Sequence, residues 1–239
     1  VARLLIVIGV VATAASCTAV EGRDVGTINF QGVLREVIRI PTQDGGVIAA
    51  DVYGTGPHGV VLAHGGRFHK GSWEKQAREL ASAGYRALAF DFRGFGESRG
   101  PGQDDLFTAL VHNDVLAAAH YLRRTGAKRV DAIGGSFGGA AAAHASIVDP
   151  TAIDRLVLLG ATPDDPPEKL TVPKLYIMTR QDTSGDGPRL PALQAHFAKA
   201  PEPKELIILE GSAHAQFMFD TAHADRIMRE ILRFLAASR

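Results

Sequence analysis

From residue 60 onward the chain sets short, almost wholly apolar runs between polar stretches long enough for helices. Val60-Val61-Leu62-Ala63, Arg86 to Phe90, Val130-Asp131-Ala132-Ile133, Leu156 to Leu159, Leu175 to Met178 and Leu206 to Leu209 read as strands. Runs this apolar fit strands covered on both faces, as in a parallel sheet flanked by helices. The intervening pattern predicts helices over Trp73 to Ala83, Asp105 to Arg123, from about Phe137 onward, and from about Ala215 to Ala237. Upstream, Val33 to Ile40 and Val47 to Tyr53 flank the turn-like Thr42-Gln43-Asp44-Gly45-Gly46 and read as an antiparallel hairpin. The order of elements predicts an α/β fold: an eight-stranded, mostly parallel sheet with crossover helices on both faces.

A single domain over residues 30–239 accounts for the pattern, and 239 residues with 46% hydrophobic composition can bury the core it needs. The stretch from Ala161 to Val172 is short and rich in proline and acidic residues. It leaves no room for a helical cap, so a site at the strand ends is expected to be open.

Charge and cysteine content narrow the function classes. Lys and Arg total 26, as do Asp and Glu. Without a basic surplus, nucleic acid is not an expected partner. The single cysteine, Cys17, excludes an intramolecular disulfide and a cysteine-rich metal framework. The histidines are scattered without zinc-ligand spacing, and no glycine-rich loop of phosphate-cradling type occurs, so no cofactor is expected.

The N-terminus reads as an export signal. Arg3 precedes an apolar stretch, Leu4 to Ala15, too short to span a bilayer comfortably. Ala14-Ala15-Ser16-Cys17 resembles a bacterial lipoprotein processing site, which implies removal of the signal and acylation of Cys17. The expectation is an exported protein, lipid-anchored at the bacterial cell envelope, with residues 1–17 as signal and processing site. Ordinary secretion, or a periplasmic location, is the alternative.

The chemistry concentrates at Gly134-Gly135-Ser136-Phe137-Gly138-Gly139. A strand ending at Ile133 must turn abruptly into an Ala-rich helix, and glycines at 134 and 138 remove side chains that would collide while Ser136 projects its hydroxyl. The next backbone N–H, that of Phe137, then lies at a helix N-terminus, where it can face a developing oxyanion. Gly96-Glu97-Ser98-Arg99-Gly100 satisfies the same Gly-x-Ser-x-Gly pattern but sits in a polar loop without a strand-to-helix elbow, so Ser98 reads as a turn residue. His214 follows the Leu206 to Leu209 strand and precedes the last helix, where a loop can bring its ring over the strand ends. An imidazole titrating near neutrality can take the serine proton during attack and return it to the leaving group.

Together these segments resemble the α/β-hydrolase superfamily, its small, uncapped serine esterases and dienelactone-hydrolase-like members included. The resemblance rests on His64-Gly65-Gly66-Arg67 after the third strand, Asp91 to Ser98 after the fourth, the Ser136 elbow and the late His214. It implies that the N–H of Gly66 or of Arg67 joins that of Phe137 as an oxyanion donor, that His64 is structural, and that Arg93 pairs with a carboxylate or backbone carbonyls. Dienelactone-hydrolase-like members often carry Cys as nucleophile, whereas this chain has Ser136. The acid that orients His214 must leave the strand at Lys174 to Met178, and Asp182 and Asp186 both follow it. Asp182 has the shorter reach and the family spacing, with Thr179 standing where a Gly-x-x-Asp turn usually begins. Asp186, between two glycines, fits a flexible turn more readily.

The expected function is hydrolysis of a small-molecule carboxylic ester through an acyl-enzyme, with Ser136, Asp182 and His214 as triad. Phe68, Trp73 and Phe217 are candidate pocket residues. A serine peptidase or amidase of the same fold is one alternative, and a non-catalytic, membrane-tethered binding domain is another, since fold alone does not fix function.

Overall fold

The computed structural model describes residues 27–30, 33–106 and 108–237. The expected export segment and Cys17 lie outside the described residues. The strands are β1 (Thr27–Phe30), β2 (Val33–Pro41), β3 (Val47–Tyr53), β4 (His58–Ala63), β5 (Arg86–Phe90), β6 (Arg129–Gly135), β7 (Leu156–Leu159), β8 (Lys174–Thr179), β9 (Thr183–Ser184), β10 (Gly187–Pro188) and β11 (Lys204–Leu209). The helices are α1 (Glu74–Ser82), α2 (His112–Arg124), α3 (Phe137–Val148), α4 (Leu190–Lys199) and α5 (Ala224–Ala236).

One sheet runs in the order β1-β2-β3-β5-β4-β6-β7-β8-β11, and β9 and β10 form a small separate ladder. The eight strands expected between Val33 and Leu209 are all in the main sheet, and β1 adds an antiparallel edge strand beside β2. From β5 to β11 every neighbour is parallel; β2 and β3 join antiparallel. Strand residues alternate between two cores. On β4, Val61 and Ala63 belong to the core shared with α2, α3 and α4, whereas Val60 and Leu62 belong to the core shared with α1 and α5. Each fully buried Val or Leu stabilises the fold by roughly 1.5–3 kcal/mol relative to exposure. Because both faces are covered, the strand sequences could be almost continuously apolar.

Two helices begin later than expected. Residues 105, 106 and 108–111 are not helical where the first turns of α2 were expected, and Leu110 among them is 55% exposed. Residues 215–223 do not join α5: Ala215 adopts φ 51°, a left-handed conformation that an α-helix excludes, Ala215–Asp220 winds as a 3-10 turn, and Thr221 is extended, which breaks the chain before α5.

The loop after β5 is braced from below. Arg93, almost wholly buried, donates Nη2 to Asp114 at 2.7 Å, Nη1 to Asp44 at 2.7 Å and Nη1 to the Pro101 carbonyl at 2.9 Å. Burial opposes the charge on Asp44, but hydrogen bonds from Arg93, Thr42 and Asn113 outweigh it and hold its carboxyl well below the usual range. This cluster ties the β2–β3 turn, the β5 loop and α2 into one support behind the strand ends.

Candidate active site

Ser136 sits where β6 turns into α3, at φ 48° and ψ −115°. Such a backbone costs roughly 1–3 kcal/mol for a non-glycine residue and persists only where its surroundings enforce it. The enforcement is local packing. A Cβ at Gly134 would come within 2.5 Å of the Gly138 carbonyl oxygen, and one at Gly138 within 2.4 Å of the Ala63 carbonyl oxygen. The Ser136 N–H donates to the Leu159 carbonyl at 2.9 Å, pinning the elbow to β7. Within α3, the Ser136 carbonyl accepts from Gly139 and Ala140. Phe137 and Gly138, in the first turn, have N–H groups without intrahelical acceptors.

His214 Nε2 lies 2.8 Å from Ser136 Oγ, and its Nδ1 lies 2.7 Å from Asp182 Oδ2. The carboxylate can only accept, so Nδ1 carries the proton and Nε2 is free to accept from the serine hydroxyl. Three features shape the loop that carries the imidazole. Thr179 Oγ donates to the Ala213 carbonyl at 2.9 Å, so the residue standing in place of the usual glycine tethers the histidine loop. Ala215 turns the chain sharply after His214 through its positive φ. Gly160, at the end of β7, leaves space that a Cβ would fill at 2.8 Å from the Ala215 N and 3.1 Å from His214 Nδ1. Asp182 is 1% exposed and its second oxygen, Oδ1, lies 3.5 Å from Arg189 Nε. Asp186 is exposed in the β9–β10 turn, where its N–H donates to Ser184 Oγ. The structure brings Asp182, not Asp186, to His214.

The loop after β4 lies opposite. His64 is fully buried; its Nε2 accepts from the Phe92 N–H at 3.2 Å, so Nδ1 is the protonated nitrogen and donates to the Gly65 carbonyl at 2.9 Å. Burial pushes the His64 pKa down, which keeps the ring neutral. The Gly65 N–H donates to Gln216 Oε1 at 2.7 Å, and the Phe68 N–H donates to the Gly65 carbonyl at 2.9 Å. Those bonds leave the N–H groups of Gly66 and Arg67 as the uncommitted donors of this loop. Gln216 Nε2 in turn donates to Ser72 Oγ at 2.6 Å.

Two cavities, each of about 690 Å³, meet at Ser136, Phe137, Leu106 and Arg189. Phe68 and Phe217 line one of them, with ring centroids 4.7 Å apart. Trp73, expected beside them, is fully buried beneath α1 and meets Phe219 edge-on at 5.9 Å. Its place at the end of a 3-10 turn points the indole into the core packed under α1 and α5, so it lines neither cavity. Ser98 is also fully buried: it donates to the Asp91 carbonyl at 2.6 Å and accepts from the Ala49 N–H at 2.8 Å. Its hydroxyl is consumed in bracing a loop. Gln216 and Arg189 were not singled out by sequence reasoning. Gln216 had one usable signal, its position two residues after His214.

A nine-stranded sheet with helices on both faces and a serine on a strained strand-to-helix elbow defines the α/β-hydrolase class. The chain belongs to this family: residues 59–204 match the family model described as alpha/beta hydrolase fold. Among curated proteins it is 36% identical over 107 residues to epoxide hydrolase 3 of Siraitia grosvenorii, a match covering 44% of this chain and 33% of that protein. It is 31% identical over 131 residues to a non-heme chloroperoxidase of Streptomyces lividans, covering 54% of this chain and 41% of that one. The matched region thus spans well under half the length of either relative. Among solved structures, an esterase from Pyrococcus furiosus superposes with a TM-score of 0.68 at 16% identity, over 84% of this chain and 89% of the other. An esterase from Exiguobacterium antarcticum does so with a TM-score of 0.67 at 18% identity, over 83% and 99%. At these identities the likeness is one of fold.

Proposed function

We propose that this chain is a serine hydrolase that cleaves carboxylic esters of small molecules through an acyl-enzyme. The observation that carries this reading is the unbroken relay from Ser136 Oγ through His214 to buried Asp182, at 2.8 Å and 2.7 Å. Ser136 Oγ attacks the ester carbonyl as His214 Nε2 takes its proton. The tetrahedral oxyanion is met by the Phe137 N–H and by that of Gly66 or Arg67. Collapse expels the alcohol, which receives the proton from His214. Water, activated by the same imidazole, then releases the acid and restores Ser136. Each oxyanion donor supplies about 3–4 kcal/mol of barrier lowering in enzymes of this kind. Esterases among the structural neighbours, and the hydrolase name borne by one curated relative, agree with a hydrolytic reading.

The test is labelling by a fluorophosphonate probe, followed by a chain-length series of 4-nitrophenyl esters. Labelling that disappears in Ser136→Ala, together with ester turnover, is the expected result. A folded protein that neither labels nor cleaves any ester would overturn the reading in favour of a binding domain. Intact-mass measurement of natively expressed protein tests the separate proposal that Cys17 is acylated.

A further inference from the structure

The two cavities that meet at Ser136 differ in charge. One is lined by Asp164 and Asp165, with His144 Nδ1 on Asp165 at 2.9 Å and His112 edge-on to His144 at 4.6 Å, and it reaches Arg189 only where it joins the other cavity. The other, walled by Phe68 and Phe217, contains no carboxylate among its lining residues; its formal charges are the guanidinium groups of Arg67 and Arg189. Arg67 is exposed and makes no hydrogen bond or ion pair with any described residue. Arg189 is anchored through its backbone N–H, which donates to the Asp182 carbonyl at 2.9 Å, and its Nε lies 3.5 Å from Asp182 Oδ1. Its two Nη groups make no hydrogen bond with described residues, and its side chain is 38% exposed.

We infer that the natural substrate is an ester carrying a carboxylate, held by Arg67 and Arg189 in the aromatic-walled cavity beside Ser136. The inference rests on the esterase reading and deepens it to a substrate class. A guanidinium with free Nη groups is the side chain best matched to a carboxylate, because it offers two parallel N–H donors. The backbone bond to the Asp182 carbonyl fixes where the Arg189 side chain leaves the main chain, at the edge of this cavity. The opposite cavity repels the same group through Asp164 and Asp165. An anionic ester therefore has one favoured orientation across Ser136, with its uncharged part towards the His112–His144 side.

The experiment compares matched pairs that differ in one charge. On the alcohol side the pair is 4-acetoxybenzoate and 4-acetoxybenzamide; on the acyl side it is mono-4-nitrophenyl suberate and 4-nitrophenyl octanoate. Wild-type protein is expected to prefer the anionic member in one pair by roughly ten-fold or more in kcat/KM, since hydrogen bonds to charged groups are worth that much. The pair showing the preference identifies which part of the ester carries the carboxylate. Arg67→Met and Arg189→Met should each bring the ratio towards unity, Arg189→Lys should recover part of it, and added salt should lower it in the wild type. Equal or inverted preference in both pairs, or a preference indifferent to both arginine substitutions, overturns the inference. Calorimetric binding of the same pairs to Ser136→Ala protein gives a readout without turnover. Neutral esters cleaved without anion preference would sink the substrate class alone. Absence of all turnover and labelling would sink the esterase reading, and the binding data would still decide whether the arginines take a carboxylate.

Discussion

Gln216 accepts the Gly65 N–H at 2.7 Å, joining the loop that carries His214 to the loop that carries the proposed oxyanion donors, Gly66 and Arg67. Both groups are buried, so breaking the bond leaves the Gly65 N–H unsatisfied at a cost of about 1–3 kcal/mol. Gln216→Leu should therefore lower kcat for a 4-nitrophenyl ester by roughly 10- to 100-fold, a fraction of what a lost oxyanion donor costs, with KM changed little. Gln216→Glu keeps the acceptor and should recover part of kcat. Steady-state kinetics on protein shown to be folded would refute this if KM, and not kcat, carried the loss.

The two aspartates after β8 separate cleanly by mutation. Asp182→Asn leaves Ser136 in place but removes the carboxylate that fixes the His214 tautomer and balances its charge, so ester turnover should fall by roughly four orders of magnitude. Asp186→Asn, on an exposed turn, should stay near wild type. Collapse in the second variant with normal turnover in the first would reverse the assignment.

Ser98→Ala should cost stability and spare chemistry. Removing the hydroxyl strands the buried Ala49 N–H and a bond to the Asp91 carbonyl, a loss of about 1–3 kcal/mol. Urea unfolding should report that loss, while turnover per folded molecule stays close to wild type. Ser136→Ala should show the opposite pattern.

Lys174 gives a pH signature. It is fully buried, with Nζ donating to the Pro201 carbonyl at 2.6 Å. Burial, assisted by nearby Lys204, pushes its pKa down to about 8 from 10.5. Between these values the unfolded chain binds the proton and the folded chain does not, so stability rises with pH across the window. Denaturation at a series of pH values between 8 and 10 should show the wild type gaining on Lys174→Met. A difference that stays flat would mean the lysine titrates normally.

The central strands β4 to β8 were legible because they are buried on both faces, which imposes apolar runs that need no long-range knowledge, whereas half-buried β2 was legible from the turn that joins it to β3. Ser136 was legible for a related reason: the elbow makes its steric demands on glycines within a few residues. Helix starts were less so. Residues 105–111 carry helical composition, yet Leu110 stays exposed there, and a short break at extended Thr221 is all that separates the 3-10 turn from α5. Asp182 could be preferred over Asp186 from reach, whereas the pairing of Gln216 with Gly65, 151 residues apart, leaves no pattern in either segment. Trp73 shows the converse. A large aromatic near a candidate loop can serve the cavity or the core, and one turn of backbone decides which.

Among the described residues the two cavities share Ser136, Phe137, Leu106 and Arg189. On the proposed ester hydrolysis, a substrate lying across the serine would have its two halves in separate compartments. Departure of the alcohol would then empty one compartment while the acyl group on Ser136 fills the other. Water would enter from the emptied side: the second reactant would come by the door through which the first product had left.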